Sequence, residues 1–124
     1  MEIKEGMYFR TNTGIRRVVY INDGCITFDD FMSNGTSLFN FIEEKELDMY
    51  LTKEPSYRII DLIEVGDYVN GYKVLIKNSE CGRPILVYGI NTNDKQIAIT
   101  IYEEDIKTIV TKEQFESMKY SLEG

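Results

Sequence analysis

Along most of this chain apolar and polar residues alternate with period two, and clusters of Asn, Asp and Gly interrupt the alternation at short intervals. That pattern predicts short strands joined by tight turns. In the first half, strands are expected over 7–11, 15–22, 25–29, 36–42 and 49–52. Asn12-Thr13-Gly14, Asp23-Gly24 and Asn34-Gly35 supply turns. Asp-Gly is a strong hairpin signal, because both residues tolerate the positive φ that matches the strand twist. Residues 30–35 read as a loop and 43–47 as one helical turn. Pro55-Ser56 then breaks the run, since proline lacks a donor and restricts the residue before it.

The second half follows the same order. It predicts an extended apolar stretch over 59–69, an Asn70-Gly71 hairpin turn, and strands over 72–77, 85–90 and 96–102. A polar loop is expected over 78–84, a turn over 91–94, a helical turn over 103–105 and a last strand over 106–110. Ile97, Ile99 and Ile101 share one face of their strand. Thr111 and Gln114 form a capping-box pair, and Phe115, Met118 and Leu122 recur at helical spacing, which predicts a short C-terminal helix.

The two halves also echo each other residue by residue. Ile3-Lys4-Glu5-Gly6-Met7-Tyr8 returns as Ile63-Glu64-Val65-Gly66-Asp67-Tyr68, and Leu51-Thr52-Lys53-Glu54 returns as Val110-Thr111-Lys112-Glu113. A repeat of this length calls for two copies of one structural unit. The opening Ile63-Glu64-Val65-Gly66-Asp67-Tyr68-Val69 resembles the first strand of SH3-like, Tudor-like and KOW-type modules, where a glycine lets the strand bend. The expected fold is therefore mainly β: two tandem SH3-like small β-barrels over 1–55 and 56–124, with a short C-terminal helix. A single larger β-barrel or sandwich using the same strands is the rival. Units of about 60 residues lie near the lower limit for a self-sufficient core.

Composition narrows the function. The chain has 124 residues, a net charge of −7 and 43% hydrophobic residues. Such a content of apolar residues is that of a folded protein. The acidic balance disfavours direct nucleic-acid binding, which needs a basic surface. A surface that imitates nucleic-acid phosphates to block a basic protein is the sharper reading of this charge, disfavoured because 21 acids against 14 bases is a moderate excess. Cys25 and Cys81 do not make a disulfide framework and are expected as reduced, partly buried thiols. The N-terminus lacks signal-peptide character, and no apolar run has the length of a membrane span. A cytoplasmic protein without a membrane partner is expected.

The chain has no histidine, so Ser-His-Asp and Cys-His sites are absent. No phosphate loop or dinucleotide fingerprint occurs. The acidic clusters Asp29-Asp30, Glu43-Glu44-Lys45-Glu46 and Glu103-Glu104-Asp105 read as solvated turns, because neighbouring acids on a strand point to opposite faces. No catalytic residue, metal site or cofactor is expected. Binding is the expected task. Arg10, Arg16 and Arg17 fall on one hairpin with Tyr8 and Tyr20. Arg58, Lys73, Lys77 and Arg83 accompany Tyr72 and Tyr88. Arginine grips phosphate bidentately and tyrosine stacks on bases. Arg16, Arg17, Tyr20, Arg83 and Tyr88 are the candidate ligand-binding residues. The alternative use of these side chains is structural, with rings filling cores and arginines pairing with surface acids.

The stretch from Ile60 to Val74, with Ile109-Val110-Thr111-Lys112-Glu113-Gln114-Phe115-Glu116, resembles a group of small phage and prophage proteins of low-GC Gram-positive bacteria. In the first half the likeness covers chiefly Met1 to Tyr8. The resemblance implies a phage accessory protein acting in the cytoplasm of an infected host. A constant second module beside a variable first one suits a scaffold with a changing recognition surface. The expected function is anti-defence by stoichiometric binding, through inhibition of a host defence protein or sequestration of a cyclic-nucleotide immune signal. A regulatory module contacting nucleic acid or the transcription machinery, or a virion assembly part, is the alternative. Exposed edge strands on small barrels suit a homo-oligomer.

Overall fold

The computed structural model describes residues 2–29 and 40–123. The expected loop over 30–35, its Asn34-Gly35 turn and the 36–39 part of the fourth expected strand lie outside them. The chain is mainly β and divides into two compact units, Met1–Leu62 and Ile63–Gly124.

In the first unit four antiparallel strands lie in sequence order: β1 (Tyr8–Thr11), β2 (Gly14–Asn22), β3 (Cys25–Asp29) and β4 (Asn40–Glu43). Asp23 and Gly24 both take positive φ, 50° and 75°, the backbone of a two-residue turn whose twist suits its strands. The register sets Phe9 opposite Arg16, Val18 opposite Phe28 and Ile26 opposite Ile42. Helix α1 (Glu44–Tyr50) follows and lowers Leu47 onto Ile3, Phe9, Val18 and Ile26.

The strand expected over 49–52 does not form. Burying Leu47 favours continuing the helix, so Met49 and Tyr50 belong to α1. The returning chain still meets the free side of β1. Thr52 donates its N–H to the Arg10 carbonyl at 3.0 Å, and Ser56 exchanges backbone bonds with Tyr8 at 2.7 and 3.1 Å. This exchange keeps Ser56 in the first unit, which therefore runs past Pro55. The extended stretch expected from 59 begins instead with a 3₁₀ turn, Ile59–Leu62. The Ser56 hydroxyl accepts the Arg58 N–H at 3.0 Å and donates to Asp61 Oδ2 at 2.6 Å, which winds the chain locally.

The second unit holds two three-stranded antiparallel sheets. One is ordered β10-β5-β6, from β5 (Tyr68–Val69), β6 (Tyr72–Lys73) and β10 (Ile109–Val110); the other is β7-β8-β9, from β7 (Ile76–Glu80), β8 (Arg83–Thr92) and β9 (Lys95–Tyr102). The strand expected over 72–77 is split at Val74-Leu75 and shared between the sheets. The polar loop expected over 78–84 is a hairpin: Asn78 and Ser79 pair with Ile85 and Pro84, and Cys81-Gly82 turns at φ 52° and 74°. Cysteine is not a usual turn residue, so polarity was the only signal, and it pointed to a loop. The same turn leaves Cys81 exposed rather than partly buried, while Cys25 is half-buried.

The 3₁₀ turn Glu103–Asp105 precedes β10, and α2 (Lys112–Glu123) ends the chain. The capping box forms as expected: Gln114 N–H donates to Thr111 Oγ1 at 3.2 Å, and Thr111 N–H to Gln114 Oε1 at 2.9 Å. Of the expected apolar face, Phe115 stacks on Tyr68 at 4.5 Å between ring centres; the side chains of Met118 and Leu122 lie outside the described ones.

The sequence echo is an echo of backbone. Gly6 N–H donates to the Val18 carbonyl and Gly66 N–H to the Val74 carbonyl, both at 2.9 Å. Met7 to Lys4 and Asp67 to Glu64 both measure 3.1 Å; Val18 to Met7 and Val74 to Asp67 both measure 2.8 Å. Gly6 and Gly66 reach this turn at φ 86° and 99°, a region that side-chain-bearing residues rarely enter. Among the described residues no helix is long and apolar enough to cross a membrane.

Candidate functional site

The first unit contains a cavity of about 380 Å³ beside its core. Phe9, Phe28, Ile42, Leu47 and Tyr50 form its apolar wall; Thr11, Asn12, Thr13, Arg16 and Asn40 form its polar side. The sequence dictates this arrangement through strand parity. Phe9 faces Arg16 across β1 and β2, and Val18 faces Phe28 across β2 and β3, so Arg16 and both rings fall on one face of the sheet. The rings meet edge to face, 5.4 Å between centres and 85° between planes. The volume lies within the range of small-molecule sites.

Arg16 is held at this cavity by its own turn. Its Nη1 donates to the Ile15 carbonyl at 3.2 Å and its Nη2 to the Thr13 carbonyl at 3.1 Å. Thr11 and Thr13 hydroxyls lie 2.9 Å apart, and Thr13 N–H donates to Thr11 Oγ1 at 3.2 Å. Among the described residues Arg16 has no carboxylate partner. Its guanidinium is thus fixed in place by two backbone carbonyls.

The other candidates are placed differently. Arg17 lies one residue along β2 and so points to the opposite face. Its Nη2 meets Asp29 Oδ2 at 2.8 Å, and Asp29 is buried. The hydrogen bond that Arg17 donates to this carboxylate holds its guanidinium above its ordinary pKa. Arg10, on the same face, is fully buried and donates Nη1 to the Leu62 carbonyl at 2.8 Å. It is a structural arginine. Tyr20 is exposed beyond a β-bulge at Val18–Tyr20.

In the second unit Arg83 pairs with Glu104 and lies 4.4 Å over the Tyr102 ring. Tyr88 sits at a position of opposite parity on β8, so the two share no face. Its ring stacks on Tyr72, 4.2 Å between centres. Among the described residues no three His, Cys, Asp or Glu side chains gather as metal ligands. The structure therefore brings Arg16 to a cavity and gives Arg17 and Arg83 acidic partners. Sequence reasoning missed the cavity wall. A local signal existed for one member alone: counting outward from the turn at Thr11–Gly14 sets Phe9 against Arg16.

No protein-family model, curated protein or solved structure matches this chain.

Proposed function

We propose that this protein is a non-enzymatic phage accessory protein, acting against host defence in the cytoplasm of an infected bacterium by capturing a small anionic ligand with flat rings. A cyclic-nucleotide immune signal has that chemistry. The observation that carries the reading is the Arg16 guanidinium, without a carboxylate partner among the described residues, beside an apolar cavity walled by Phe9, Phe28 and Tyr50. A base enters the apolar part, and a phosphate takes the guanidinium with the Thr11 and Thr13 hydroxyls.

We read each unit as an SH3-like module. In support, a glycine turn opens each first strand, a helical turn precedes each returning segment, and that segment comes back to the first strand. In the second unit the stretch from β6 to β7 serves both sheets, as the long second strand of such modules does.

A thermal-shift panel of cyclic di- and trinucleotides on the intact chain tests the function. A ligand specific for the folded state stabilises by about 2.7 kcal/mol at a hundredfold excess over its Kd. The expected result is a shift with one nucleotide class that Arg16→Gln abolishes. No shift with any member contradicts the reading. A second reading, inhibition of a host defence protein, is favoured by Phe41, Met49 and Tyr57, which are 69%, 78% and 58% exposed on the first unit. A host protein retained by the intact chain and lost with Phe41→Ser and Met49→Ser supports it.

A further inference from the structure

We infer that β9 is the dimerisation edge of this protein and that its occupant is β9 of a second copy, paired antiparallel about a two-fold axis near Ile99. The hairpin of β8 and β9 carries three cross-strand apolar pairs on one face: Leu86 with Ile101, Tyr88 with Ile99, and Ile90 with Ile97. The first pair is buried, at 0% and 5% exposure. The row then runs outward, and Ile97 is 42% exposed. From Tyr88 to Thr100 no residue is buried. An apolar row that continues the core into solvent on a two-stranded arm is not stable alone; it calls for a cover.

Two observations identify the cover. The first is the state of the edges. Among the described residues β9 pairs only with β8. Natural edges are blunted by charge, proline or bulges. The opposite edge of this sheet, β7, carries Lys77 and Glu80. β9 has no charge, proline or register shift from Gln96 to Tyr102. The turn at Asn93-Asp94 closes on Thr92 and Lys95, so the backbone groups of Gln96, Ala98 and Thr100 point away from β8. They are a free template.

The second observation is charge. β9 starts at Lys95 and runs into Glu103-Glu104-Asp105. Antiparallel pairing about Ile99 brings Lys95 of each copy to the acidic turn of the other, twice by symmetry. It also sets Ile97 opposite Ile101 and Ile99 opposite Ile99, on one continuous face. A parallel pairing sets like charges together at both ends, and an unrelated acidic partner uses only the Lys95 end.

The test is the mass of the intact chain in solution by light scattering after size exclusion, over a range of concentrations. The expected species is a dimer of the 14.4 kDa chain. Thr100→Pro removes an outward N–H without touching the β8 ladder, and is expected to give a folded monomer with an unchanged far-UV spectrum. Lys95 is exposed, so Lys95→Glu threatens no core; it should weaken the dimer roughly tenfold. A wild-type chain that is monomeric throughout overturns the inference. So does a dimer that Lys95→Glu and folded Thr100→Pro leave intact, since it would use another surface.

Discussion

The two units open on the same turn with the same three backbone hydrogen bonds, yet they end differently. At the position after the glycine the first unit has Met7 and the second Asp67. In both, that side chain receives the backbone N–H three residues earlier: Lys4 to Met7 Sδ at 3.2 Å, Glu64 to Asp67 Oδ2 at 2.7 Å. The acid has a second oxygen, and Asp67 Oδ1 accepts the N–H of Lys112 at 2.9 Å, in the first turn of α2. A buried carboxylate at a helix N-terminus satisfies donors that the helix itself leaves open. The first unit has no acid there, and Pro55 follows Thr52-Lys53-Glu54 where α2 runs on in the second. In the second unit the acid of the repeated turn thus ties the turn to the first residue of α2.

The comparison breaks most visibly at Asp67. Asp67→Ala removes a charged acceptor from two backbone donors and should cost about 3 kcal/mol. Met7→Ala, at a half-buried site with one weak sulfur contact, should cost about 1 kcal/mol. Urea denaturation followed by far-UV circular dichroism compares them. Equal losses would mean that Asp67 does not anchor α2. Next come the glycines. Gly6→Ala and Gly66→Ala each force a Cβ into positive φ and should each cost about 1 kcal/mol or more, by similar amounts. Neither site is crowded: the nearest atoms to an added Cβ are Tyr57 Cε1 at 3.9 Å and Lys112 Cδ at 3.5 Å. A large cost at only one of them would show that the turns are alike in outline alone. Thr111→Ala sharpens the helix side and should cost about 1 kcal/mol through the lost cap, with helical signal reduced. The smallest effect on stability is expected at Arg16. Arg16→Gln should change it by no more than about 0.5 kcal/mol while ending ligand binding; a large loss would make Arg16 a structural residue like Arg10.

Hairpins with Asp-Gly or Asn-Gly turns were legible because their turn chemistry is local, whereas the Cys81-Gly82 hairpin, which lacks a usual turn residue at its first position, read as a loop. Asp23-Gly24, Asn70-Gly71 and the Thr111–Gln114 cap follow from residues within a few positions of each other. The other failures lie where tertiary contacts overrode local pattern. Residues 49–52 have strand-forming composition, but Leu47 drew the segment into a helix over the core. Residues 59–62 read as extended, and the hydroxyl of Ser56 wound them into a 3₁₀ turn. At the candidate site, residue type pointed to five side chains and strand parity sorts them. Arg16 shares a face with Phe9 and Phe28, Arg17 faces Asp29, and Arg83 and Tyr88 part company along β8. The cavity wall comes from β1, β3, β4 and α1 together, and no local window of sequence contains it.

The most direct test of the ligand-binding account is an amide chemical-shift titration of the ¹⁵N-labelled intact chain with the nucleotide class that shifts its melting temperature. The account predicts perturbations at Thr11, Asn12, Thr13, Arg16 and Phe28, with β8 and β9 unchanged. Perturbations centred on Tyr72, Arg83 and Tyr88, or none in the first unit, would contradict it.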